Sequence, residues 1–205
     1  MSTSFLAAAV LRPAVSTTRN TPALRLLQQS GAVGFATVLT IAAAQVSIPL
    51  PFTPVPFTLQ PMVVLLCGAA LGSRLGLSAQ IVYLALGCAG WPVFAASAAL
   101  PQGIARLVGP TGGYLMAYPA AAFAAGWLAE RGFDRRYDTA LISMVCGLAI
   151  VFAGGVSWLA FGQRLGVSPA LAVGFYPFIA ADFMKLFVAA GIMPALWHVT
   201  GLRTR

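Results

Sequence analysis

Residues 176–197, YPFIAADFMKLFVAAGIMPALW, decide how this chain is read. At about 1.5 Å of rise per residue the segment is long enough, as a helix, to cross a hydrocarbon core of roughly 30 Å. It nevertheless carries Asp182 and, three residues later, Lys185. A charge at membrane depth costs at least about 2.5–3.5 kcal/mol, so such side chains normally face a partner, a cavity or a ligand.

The whole chain shares this character. Of its 205 residues 60% are hydrophobic and only 8% charged, with a mean hydropathy of +0.88, whereas a soluble domain is typically about 25% charged. The expected class is an all-α integral membrane protein. The formal charge of +8 comes from Arg scattered between apolar runs, without the basic stripe of a nucleic-acid reader, so no nucleic-acid partner is expected. Cys67, Cys88 and Cys146 all lie in apolar runs without CxxC spacing and read as packing residues.

Apolar runs occupy 31–48, 60–73, 75–91, 113–129, 139–161 and 172–198, which predicts six transmembrane helices, with five or seven as the alternatives, over a membrane domain 31–199. Several runs fall short of a full span, so tilt or loops folding back into the membrane are expected. Residues 1–30 combine Ser, Thr, Pro and Arg without an acid. Their apolar FLAAAVL precedes Arg12, opposite to a secretory signal, and a cytoplasmic tail is expected, with an organelle transit peptide as the second choice. Residues 200–205 form the other tail. With both termini in the cytoplasm of a cell (inner) membrane, Arg12, Arg19, Arg25, Arg74, Arg131, Arg135, Arg136, Arg203 and Arg205 fall inside, and only Arg106 and Arg164 outside. Nine against two obeys the positive-inside rule, which a shift of one helix would scramble. The loop ERGFDRRYD, with Glu130, Asp134 and Asp138 among three Arg, is expected to be solvated.

Two long outer connections are unusual. IPLPFTPVPFTLQP holds Pro49, Pro51, Pro54, Pro56 and Pro61, which predicts a stiff non-helical strap. Such backbone is tolerated at membrane depth only under cover of protein or water, as over a cavity mouth. GWPVFAASAALPQGIARLVGPTGGY has the Gly and Pro punctuation of a folded lid.

At i, i+3 Asp182 and Lys185 share a helix face, so they can neutralise each other as an internal salt bridge. Against that reading, two leucines would remove the insertion cost altogether, and a ligand explains their retention better.

Four motifs, PVPFTLQ at 54–60, YLALGCAGWPVF at 83–94, GPTGGY at 109–114 and DFMK at 182–185, occur in the order and at about the spacing of the BioY proteins, the biotin-binding S components of energy-coupling factor (ECF) transporters. The chain resembles that family over roughly residues 35–198. The resemblance implies a six-transmembrane-helix S-component bundle with long folded outer loops and a biotin site near the outer face, roofed by the first and third loops. It also implies that DxxK is used at the ligand. Biotin has ureido N–H donors, a ureido oxygen and a carboxylate. Asp182 can accept from the N–H groups and Lys185 can donate to either oxygen group.

Gln60 is a candidate for the same head, with a helix-start role as the alternative. Tyr83, Trp91, Phe94 and Tyr114 are candidates for stacking on the apolar part of the ligand, with interface anchoring as the alternative for each. The sequence departs from the family between WPVF and GPTGGY, where AASAALPQGIARLV lacks the Asn-rich turn of many relatives; Ser97, Gln102, Arg106 or loop amides are then candidates for the carboxylate. A further departure is Ala180 and Ala181 before DxxK, where a glycine is common.

S components of this class dock on a transmembrane coupling protein through small residues of the first helix, and Ala32 and Ala36 match the AxxxA spacing. Gly68 and Gly72 offer a similar face, suited to packing within the chain. The expected partners are biotin, the coupling protein, its ATPase subunits and membrane lipid. No enzyme is expected: His198 stands alone, neither a triad nor a metal site can be built around it, no Walker A loop is present, and no cofactor is implied. Two other classes stay open. One is an ion-coupled secondary carrier with Asp182 titrating against Lys185, and the other a structural membrane protein with an internal ion pair.

Overall fold

The computed structural model describes residues 22–96 and 101–199. The C-terminal tail, residues 1–21 of the N-terminal one, and Ser97 therefore lie outside the described residues. Each of the six apolar runs coincides with a helix: α1 (Pro22–Gln45), α2 (Gln60–Leu71), α3 (Ser73–Cys88), α5 (Gly112–Ala129), α6 (Tyr137–Ser157) and α8 (Tyr176–Val199). Two short helices, α4 (Ala105–Val108) and α7 (Val167–Gly174), lie in the connections, and α6 runs on through a wider turn over Trp158–Gly162. Three helical stretches, Pro22–Gln45, Tyr137–Gly162 and Tyr176–Val199, are long and apolar enough to cross a membrane. Helix α1 starts at Pro22 rather than at the expected 31.

Helix α5 is the hub, packed against α6, α2 and α3. Small residues make this possible: a Cβ on Gly68 would lie 2.4 Å from the Ala122 carbonyl oxygen, and one on Gly126 would lie 2.4 Å from the Gly72 carbonyl carbon. Without a water-driven hydrophobic effect between helices in lipid, such close backbone approach supplies the packing. Gly72, at φ +87°, reverses the chain between α2 and α3 in one residue, a conformation that costs a Cβ-bearing residue. Outward-facing Leu26, Leu27, Phe35 and Val38 of α1 and Met184 and Val188 of α8 are exposed apolar side chains.

The charged loop differs from expectation. Glu130 is half-buried and caps α3, its Oε1 accepting from Ser73 N at 2.7 Å and Ser73 Oγ at 2.9 Å. Asp134 is buried, and its Oδ2 accepts from Trp197 Nε1 at 2.7 Å. Burial pushes the Asp134 carboxyl above the usual carboxylate range, partly offset by the Trp197 N–H. The Asp138–Arg136 pair and Arg131 are exposed, as predicted. The α-helical turn signals of a charged loop do not reveal that the ends of α3 and α8 come to meet it. These contacts gather Arg74, Arg131, Arg135 and Arg136 at the end where α8 finishes. At the other end, Trp158 Nε1 donates to Gly109 O and Gln163 Nε2 to Val108 O, holding the segment after Arg106 beside Arg164.

The proline strap is non-helical but not simply extended. Ser47–Ile48 (β1) and Phe57–Thr58 (β2) pair antiparallel in the register Ser47↔Thr58 and Ile48↔Phe57, so the strap is a small hairpin. Thr53 Oγ1 donates to Val173 O at 2.6 Å and ties its tip to α7.

Candidate functional site

A pocket lies under the hairpin and the third loop, lined by apolar side chains and a few polar ones, the usual make-up of a small-molecule site. The hairpin contributes Val55, Pro56, Phe57 and Thr58. The third loop contributes Ala95, Arg106 and Thr111, and the helices behind them Gln60, Tyr114, Leu115, Tyr118, Val151, Phe152, Phe178 and Asp182.

Asp182 is 6% exposed. Its Oδ1 accepts from Lys185 Nζ at 2.6 Å, and the same ammonium donates to Thr58 O at 2.6 Å and lies 3.5 Å from the Phe57 ring centroid. Carboxylate, backbone carbonyl and π-face thus all favour the cation in place. Lys185 reaches the pocket through these neighbours, behind Thr58 and Phe57, while Asp182 is on the wall itself. The i, i+3 spacing on α8 is what lets one acid and one base meet at this depth.

Gln60 lines the pocket, and its Nε2 donates to Tyr83 Oη at 2.7 Å. Tyr83 and Phe94 are each 0% exposed and pack edge to face with centroids 5.5 Å apart, forming a layer behind the wall rather than the wall. The Tyr83 hydroxyl also donates to Val93 O at 3.4 Å, which pins the start of the third loop. Trp91 is 61% exposed and does not line the pocket, so the interface reading fits it. Tyr114 does line it, with its hydroxyl donating to Gly174 O at 2.6 Å and its ring against Gly155 and Gly174, where any Cβ would collide. Of the residues singled out for the ligand, Asp182, Gln60 and Tyr114 are on the wall, Lys185 is bonded to it, Tyr83 and Phe94 support it, and Trp91 stands outside.

Several wall residues had no place in the sequence expectation. Tyr118 follows Tyr114 by four residues and Phe178 precedes Asp182 by four, so helical spacing from a residue already chosen would have found both. Phe57 lay within PVPFTLQ. Phe152 offered no signal, because α6 is apolar on every side. Arg106 is the substantial addition from among the loop candidates. It is 1% exposed, on the wall, and donates to the Ala95 carbonyl and to Pro101 O at 3.4 Å, leaving most of its five donors for other partners. Gln102 donates to Phe94 O at 3.5 Å and is not on the wall.

Away from the pocket, Ala36 is fully buried against Cys67, Leu71 and Ala79, whereas Ala32 is partly buried. A partner approaching α1 could touch Ala32 but not Ala36. Among the described residues no group of His, Cys, Asp and Glu is arranged to hold a metal ion.

The profile of the BioY family matches residues 6–201. The chain is 43% identical, over 157 residues, to a biotin transporter BioY of Thermotoga maritima, covering 77% of this chain and 88% of the relative. It is 40% identical over 158 residues to a probable biotin transporter BioY of Pyrococcus horikoshii, covering 77% and 89%. Among solved structures, the crystal structure of the S-component for biotin from an ECF-type ABC transporter aligns with a TM-score of 0.76 at 26% identity, covering 89% of this chain and 95% of that one. With a family profile spanning nearly the whole chain and relatives matched over most of theirs, the chain belongs to the BioY family.

Proposed function

We propose that this chain captures biotin from outside the cell and serves its uptake as the substrate-specific S component of an ECF-type transporter. The observation that carries the reading is a buried acid–base pair at a roofed apolar pocket, with Asp182 on the wall offering an acceptor to the ureido head and Lys185 bonded to it just behind. Only Oδ1 of Asp182 holds the lysine, so its second oxygen can accept from a ureido N–H. Gln60 and Tyr114 complete the polar and aromatic wall, with Tyr83 and Phe94 stiffening it from behind. Arg106 is the cation for the carboxylate tail, which the sequence left among several candidates.

The six long helices span the cell membrane, with the pocket outside and both tails, 1–30 and 200–205, in the cytoplasm around a membrane domain of 31–199. The grouping of four Arg at one helix end supports this orientation. The sequence holds no Walker A loop, and the coupling protein and ATPase subunits drive release, with the α1 face around Ala32 as the docking surface.

The same ion pair would occur in a purely structural protein, but such a protein has no use for a second buried cation on a roofed pocket. Calorimetric titration of the detergent-purified chain with biotin, without nucleotide or partners, tests the proposal. Tight one-to-one binding is expected; absence of binding to a folded sample rejects it.

A further inference from the structure

Thr111 occupies the N-cap position of α5, inside the GPTGGY segment of the lid. A threonine there normally turns its hydroxyl onto the first-turn amides of the helix. Here its backbone stays helical, at φ −87° and ψ −4°, and no side-chain cap bond forms. The residue is 6% exposed and lines the pocket, yet its Oγ1 has no hydrogen-bond partner among the described residues. A buried hydroxyl left unpaired is destabilising, so its presence on a binding wall asks for a guest atom.

The surroundings say what that atom is. An 18-residue helix begins at Thr111 without a side-chain cap, so its positive end and first-turn amides remain uncompensated by any side chain. The Arg106 guanidinium lines the same pocket from the same loop. A hydroxyl donor, a permanent cation and a positive helix end on one lid suit an anionic oxygen. Asp182, the wall's own carboxylate, repels an anion and so orders the guest with its acid tail away from it.

We infer that Thr111 Oγ1 donates a hydrogen bond to the carboxylate of the bound vitamin beside Arg106, and that this contact makes the site selective for the free acid over its esters and amides. The inference rests on the biotin reading above. It assigns the unpaired hydroxyl and the uncapped helix a single cause.

The test is a titration of the purified full chain with biotin and with biotin methyl ester, for the parent, Thr111→Val and Thr111→Ser. Valine keeps the volume and removes the donor. Thr111→Val is expected to lose roughly 10-fold or more in affinity for biotin, the scale of one hydrogen bond to a charged group, while its affinity for the ester moves by less than about 3-fold. Thr111→Ser restores the preference for the acid. Unchanged biotin affinity in Thr111→Val overturns the assignment, as does an equal loss for acid and ester without rescue by serine, which is the signature of packing. A folded parent that binds neither compound removes the biotin reading itself, whereas a parent that binds and a valine variant that matches it remove only the role of Thr111.

Discussion

Replacing Lys185 by Met separates the two roles of the Asp182–Lys185 pair. In the parent, the ammonium satisfies a carboxylate oxygen and the Thr58 carbonyl at 2.6 Å each, and the two side chains are only 10% and 8% exposed. Met preserves most of the packing volume but leaves Asp182 without its cation and Thr58 without its donor. Breaking one partner of a buried pair typically costs about 3–5 kcal/mol. Because Asp182 borders a pocket that water can enter, the lower end applies, at about 3 kcal/mol. Removing both charges, as in Asp182→Leu with Lys185→Met, eliminates the orphaned carboxylate and should return stability to the parent level or above. Thermal unfolding in detergent without biotin reads the stability, and calorimetry reads the affinity. The single variant is expected to unfold earlier and the double variant to recover, while neither binds biotin tightly. A double variant that keeps parental affinity would show the pair to be structural only, and a single variant as stable as the parent would refute the account of mutual neutralisation.

Three further outcomes follow from the geometry. Gly174→Ala places a Cβ 2.4 Å from Tyr114 Oη, so the ring must move; a destabilisation of about 1–3 kcal/mol and weaker biotin binding are expected by thermal unfolding and titration, and a variant indistinguishable from the parent in both contradicts the close contact. Glu130→Ala removes the acceptor for Ser73 N and Oγ at the start of α3, a capping loss of about 1 kcal/mol that should appear in unfolding while biotin affinity in the distant pocket is unchanged. Asp134 has a raised folded pKa, so the folded state holds the proton more tightly than the unfolded one; its destabilising contribution is absent below the ordinary carboxylate pKa of 3.8 and grows as pH rises through the folded value. Asp134→Asn keeps an acceptor for Trp197, and should flatten that part of the stability–pH curve; a curve that keeps the parental slope assigns the dependence to another group.

How much was legible in advance varies with the kind of contact. The runs that became α1, α2, α3, α5, α6 and α8 were visible because apolar length is a local property, written in consecutive residues. The hairpin was half visible: the four prolines from Pro49 to Pro56 excluded a helix, while Pro61 opens α2, and the pairing of Ser47 with Thr58 depends on residues eleven apart choosing each other. Asp182 and Lys185 stood out because charge is conspicuous in oil, and Gln60 and Tyr114 came with motifs. The same motifs also named Trp91, Tyr83 and Phe94, which the structure sets outside or behind the wall, since a motif records that a residue matters without recording which way it faces.

The sequence by itself determined the apolar, mostly helical character, the six runs that coincide with helices, and the placing of an acid and a base three residues apart inside the last of them, because each follows from composition and near-neighbour spacing. Tertiary structure alone decided which aromatic rings form the wall, that Arg106 is buried on it, that Thr111 is left unpaired, and that Glu130 and Asp134 turn inward. Those facts depend on side chains separated by dozens of residues meeting at one depth, which close backbone approach at glycines such as Gly68, Gly126 and Gly174 makes possible and local pattern does not encode.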